Sequence, residues 1–303
     1  MSKNYYYLIA GMPEVGMDDA KTVCSMEQFR AEYYPELTPA DRKLTDLLWL
    51  EQDNRNLLSL LSDRDATIEQ EGLYTADELR DMVRAAREDE KWNSDYPTYL
   101  RDFIRTYYAE STEAGPMAAD VLSSYYYKYA MQADNRFVSR WFGFNLDLNN
   151  ILTAMTARKY KLPVAQAVIG DGEVAEALRT NNSRDFGLAG SFDRMEEIQH
   201  IVETGNLVER EHKIDALRWG WLEDESFFDY FGVEKLFAFL VKNQIVARWL
   251  NLDAEVGSEM LRSMVAEMQN VDVPEEYRMN RPKVEGFTVY DWLPAEHRKR
   301  KQK

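Results

Sequence analysis

The chain has 303 residues, 53 acidic against 37 basic for a formal charge of −16, with 45% apolar and 13% aromatic residues. That apolar content excludes a disordered acidic protein, and the charge disfavours both an extended nucleic-acid face and adsorption to an anionic membrane. The single cysteine, Cys24, leaves no internal disulfide and fits a reducing, cytoplasmic setting.

Taken in chain order, residues 5–9 read as extended, although residues 5–12 are too short an apolar run for a secretory leader. Thr38 and Pro39 then form an N-cap and a first helical position. Behind them Leu44, Leu47, Leu48, Leu57, Leu58 and Leu61 fall at helical intervals. Thr75 and Glu78 make a capping box ahead of Leu79, Met82, Val83 and Ala86. Pro97 and Pro116 open two further stripes, the second running through Leu122, Tyr125, Tyr126 and Tyr129.

Residues 146–159, 173–179, 194–202, 233–250 and 258–268 also carry helical periodicity. Breaks fall at 113–116, 162–163, 170–172, 181–190 and 273–274, where Gly, Pro and Asn collect. Residues 287–292 are the other extended run, so a small terminal β pairing with residues 5–9 is expected. No run of about 18 uncharged apolar residues is present. The expectation is an all-α chain with an N-terminal lobe over 1–115, a central lobe over 116–190 and a C-terminal lobe over 191–272. An extended segment and basic tail follow over 273–303.

Residue types for catalysis are sparse. His200, His212 and His297 match no metal spacing, and neither Cys-x-x-Cys nor His-Glu-x-x-His occurs. Cys24 reads as an inert thiol. Gly11 and Gly16 lack the Lys-Ser/Thr pair that a phosphate-binding loop requires, with Met17 and Asp18 in its place. No catalytic, metal or cofactor residue is assigned, and the chain is not expected to be an enzyme. Three consecutive tyrosines, Tyr125, Tyr126 and Tyr127, cannot share one helix face, so they are interface candidates as well as packing residues.

One pattern repeats. Asp53 and Asn56 precede Leu57-Leu58, and Asp147 and Asn150 precede Ile151-Leu152, with starts 94 residues apart. Residues 233–248 give a weaker third echo. Asn is a poor helix former, so its place inside a helix implies a side-chain hydrogen bond to a neighbouring element. The pattern resembles the C/d family of central-stalk subunits in archaeal-type and V-type ATPases (lettered C in the archaeal-type enzyme and d in the eukaryotic one), as a divergent bacterial branch. Asp53, Asn56, Asp147 and Asn150 match its Asp-x-x-Asn segments, and residues 242–248 resemble its C-terminal helix, with Gln244 where the family pattern has an acid.

The resemblance implies a three-lobed helical funnel without catalytic activity. Such a subunit joins the stalk shaft to the membrane rotor ring from the cytoplasmic side, peripheral to the inner face of the plasma membrane through its partners. The rival reading from the residues is a free-standing acidic helical adaptor for a basic protein. Charge is uneven: residues 1–115 carry −11, 116–169 carry +3 and 170–235 carry −9. Residues 236–297 carry −4, and the tail with Arg298, Lys299 and Arg300 adds +5. A mildly basic middle between acidic lobes, and a tail contact with an acidic partner, are the corresponding expectations.

Overall fold

The computed structural model describes residues 4–68, 70, 72–109 and 116–252. The described residues form twelve α-helices and one 3-10 turn, with no strand among them. The expected helix over 258–268, the break at 273–274, the run 287–292, His297 and the tail with Arg298, Lys299 and Arg300 lie outside them.

Residues 5–9 correct the sequence reading: α1 (Tyr6–Ala10) is a short helix. Tyr5 anchors its start, buried, with its N–H donating to the Phe231 carbonyl at 2.7 Å and its hydroxyl bonded to Asp41. A helical turn then lays Leu8 and Ile9 half-buried against the core, a placement that period-two alternation cannot give.

α2 (Met26–Glu32) begins at Ser25, where Ser25 and Gln28 form a capping box. α3 (Pro39–Ser62) starts as expected, with the Thr38 side chain accepting from the Asp41 N–H. α4 (Ala76–Arg87) has the Thr75–Glu78 box and buries Leu79, Met82 and Ala86 on one face. α5 (Thr98–Ala109), packed on α4, buries Leu100, Phe103, Ile104 and Tyr107. α6 (Pro116–Ala130) packs on α5 and bridges α3 to α7 (Arg136–Lys159).

α7 starts ten residues before the expected 146, because the Asn135 side chain caps it by accepting from the Val138 N–H at 3.0 Å. α8 (Val164–Ala167) and α9 (Glu173–Thr180) fold back onto α7. α10 (Met195–Glu203) packs on α11 (Leu207–Glu225). Periodicity does not mark α11, whose apolar residues are interrupted by charge; Asn206 caps it through the N–H groups of Val208 and Glu209.

α12 (Val233–Leu250) buries six consecutive residues, 236–241, so it is enclosed on nearly every side and lies between α3 and α7. One continuous apolar cluster runs from Tyr5 to Val246, and residues through Asn251 belong to one compact unit. A second unit begins at Leu252, its only described residue. No described helix is long and apolar enough to cross a membrane.

Candidate functional site

The repeated asparagines hold loops, as their helical placement required. On α3 the Asn56 amide donates to the Gln70 carbonyl at 2.9 Å. On α7 Asn150 bonds both groups of one residue, donating to the Ile169 carbonyl at 2.8 Å and accepting its N–H at 3.0 Å. A third asparagine joins them. Asn243 on α12 accepts the Cys24 N–H at 2.9 Å and donates to the Phe239 carbonyl. Asn56, Asn150 and Asn243 are separated by 94 and 93 residues, so the weak echo in residues 233–248 carries the same bond to a loop.

The two aspartates differ. Asp53 is wholly buried and accepts the N–H groups of Leu73 and Tyr74 at 2.9 and 3.2 Å. Asp147 is half-buried, with no side-chain hydrogen bond among the described residues.

α3 and α12 wall two adjoining cavities of about 470 and 450 Å³. Leu48, Glu51 and Arg55 from α3 and Gln244 and Arg248 from α12 line both. α7 adds Trp141, Phe142, Asn145 and Asn149 to the second, and α11 adds Asp215 and Arg218.

One wall is rigid. Asp215, with 1% of its side chain exposed, pairs with Arg218 at 2.8 Å, receives Arg248 at 3.4 Å and accepts the Trp249 indole N–H at 3.0 Å. Arg218 spends its other donors on Asn145 at 3.1 Å and Asn149 at 2.9 Å, and Asn149 donates to the Tyr127 hydroxyl. Every member has a partner, so the network fixes α7, α11 and α12 to one another.

The facing α3 wall is looser. Among the described residues Arg55, 70% exposed, donates only to Gln52 and lies 3.9 Å from Glu51. About half of the Glu51 side chain is exposed, and it lines both cavities. The enclosing protein raises its carboxyl pKa, against the pull of Arg55 and Arg218.

Of the three tyrosine interface candidates, Tyr126 is a core residue whose hydroxyl donates to the Leu47 carbonyl at 2.8 Å. Tyr125 is half-buried and shares a hydrogen bond with Thr106, while Tyr127 faces the second cavity. Consecutive helical residues point about 100° apart, which is why one triplet divides between packing and cavity. Burial, then the Glu51 charge, pushes the Tyr127 hydroxyl up to about 12.

Cys24 lines the first cavity, but burial followed by the Glu32 charge pushes its thiol up to about 11. It stays protonated at neutral pH. His212 lies 3.1 Å from Asp18 and against the Trp249 ring, and neither it nor His200 lines either cavity. Among the described residues, no three His, Cys, Asp or Glu side chains are grouped to hold a metal.

Glu51, Asn145, Asn149, Asp215 and Arg218 escape the sequence reading. A usable signal is present in the i, i+3 pair Asp215–Arg218 and the i, i+4 pair Asn145–Asn149, which place complementary groups on single helix faces.

No curated protein matches the chain. The model of a family described as protein of unknown function (DUF2764) matches residues 1–271, and the chain belongs to that family.

Proposed function

We infer that the chain is a non-catalytic central-stalk subunit of a V-type ATPase that links the stalk shaft to the membrane rotor ring. The observation carrying this reading is that α3, α7 and α12 bear loop-holding asparagines at intervals of 94 and 93 residues and together wall one polar cavity region. A coupling subunit must grip a shaft and transmit torque, so it needs a cavity with stiff walls and no bond-making chemistry. The Asp215–Arg218 network supplies stiffness, and the loosely held Glu51 and Arg55 supply contacts for an occupant. In this reading three related lobes surround the end of the shaft, and the protein works on the cytoplasmic face through its partners.

Purification of the detergent-solubilised ATPase from the native cell tests the reading. The chain should be retained with the stalk and ring. Gln244→Trp, placed where the two cavities share a wall, should weaken shaft binding about tenfold or more while the helical circular dichroism spectrum is kept. A purified complex that lacks the chain removes the proposal.

A further inference from the structure

A second surface lies apart from the cavity. The turn between α11 and α12 exposes Phe227, Phe228, Tyr230 and Phe231, with Phe228 81% exposed, and α1 adds Tyr6 and the 97%-exposed Tyr7. Contiguous large aromatics on a surface mark an interaction site, because each carries apolar area that water solvates poorly. They are also held in place. The Tyr5 N–H bonds the Phe231 carbonyl at 2.7 Å, and the Tyr6 and Phe231 rings lie 4.6 Å apart. Phe227 and Phe228 meet edge to face at 5.0 Å, and buried Ser226 closes the turn by accepting the Asp229 N–H. A preordered aromatic surface loses little further freedom on binding.

Charge selects the occupant. Glu223, Asp224 and Glu225 are paired with Lys242, Arg194 and Arg140, respectively. Asp229 and Glu234 have no cation partner among the described residues: Glu234 accepts from the Asn135 amide at 2.7 Å and its charge acts on Asp229, while the neighbouring Lys235 acts on Glu223. The aromatic surface therefore has a rim with two carboxylates, Asp229 and Glu234, that no described cation pairs. An anionic lipid surface would be repelled by that rim. The loops that membrane proteins present to the cytoplasm are enriched in Lys and Arg, which fits it.

We propose that α1 and the α11–α12 turn dock onto the basic cytoplasmic loops of a membrane-embedded protein. The assignment rests on the rotor-coupling reading, in which that protein is the rotor ring. Aromatic side chains would pack against the apolar parts of the loops, and Asp229 and Glu234 would meet their Lys or Arg side chains.

Binding is measured with the full-length chain on two probes, the isolated detergent-solubilised ring and protein-free vesicles of phosphatidylcholine with phosphatidylserine. The wild type should bind the ring and not the vesicles. The double variant Phe227→Ser/Phe228→Ser should bind the ring about tenfold or more weakly, with an unchanged thermal melt because both side chains are exposed. Asp229→Lys should weaken binding several-fold and reduce its salt dependence. Variants that bind the ring like the wild type, or a wild type that binds the vesicles alone, overturn the docking proposal. A wild type that binds the ring, with both variants binding it equally well, overturns the docking proposal while leaving the rotor reading standing. A wild type that does not bind the ring overturns both.

Discussion

Asp53 on α3 and Asp147 on α7 hold the same place in two related segments, each three residues before an asparagine that bonds a loop. Burial pushes both carboxyls up to about 6. At Asp53 that push is opposed by the N–H groups of Leu73 and Tyr74 and by the Arg30 charge. At Asp147 burial acts alone. The asparagine therefore does the same work in both places, whereas the aspartate is an acceptor for the loop in one and an uncompensated carboxyl in the other. A repeated motif thus fixes a helix-to-loop register without fixing the chemistry of each of its positions.

The largest test of that difference is truncation. Asp53→Ala leaves two backbone N–H groups buried without an acceptor and should cost about 3–4 kcal/mol in urea unfolding. Asp147→Ala removes no bond seen among the described residues and should not destabilise the protein at neutral pH. Equal losses would break the comparison. Gly72→Ala extends it, because a Cβ at Gly72 would collide with the Asp53 carboxyl, which its two N–H donors hold in place. The expected loss is about 2–3 kcal/mol, read as a lower thermal midpoint.

What the segments share can be broken as well. Asn56→Ala, Asn150→Ala and Asn243→Ala should each cost about 1–3 kcal/mol, since each leaves a loop group without its partner. Asn150 bonds both the carbonyl and the N–H of Ile169, so its loss should be the largest of the three. Hydrogen exchange would localise the effects to residue 70, to 168–170 and to Cys24. Protection unchanged at Cys24 in Asn243→Ala would exclude α12 from the repeat.

The helices are largely legible because caps and apolar stripes are local. Thr38, the Thr75–Glu78 box and the stripe through Leu79, Met82 and Ala86 are found where the sequence puts them. α1 reads as a strand because its conformation depends on Phe231, more than 200 residues away. α11 is hidden because its buried Asp215 and half-buried Arg218 look like solvated charges until α7 and α12 are placed beside them. The cavity is hidden for the same reason. Its polar side chains come from separate helices, and no stretch of sequence brings Glu51, Asn149, Arg218 and Gln244 together.

The smallest effect is the sharpest discriminator. A carboxyl whose pKa is higher folded than unfolded costs nothing below about pH 4, where both states hold the proton. As pH rises toward 6 the unfolded chain releases that proton first, so stability falls, and above 6 the loss is complete. For Asp147 the loss at neutral pH is about 1–2 kcal/mol after allowing for its partial exposure to water. Asp147→Asn removes the charge and disturbs no observed bond, so it should stabilise the protein by about that amount at pH 7.5 and by nothing at pH 4. Asp53→Asn also removes a raised carboxyl, but it replaces one of the two acceptor oxygens with an amide that cannot accept from Leu73 or Tyr74. It should therefore destabilise the protein at pH 7.5, and by less at pH 4, where the wild-type carboxyl also carries a proton on one oxygen. Thermal melts of the two variants at pH 4 and 7.5 measure this directly. Parallel behaviour of the two would mean that Asp53 and Asp147 share one environment after all.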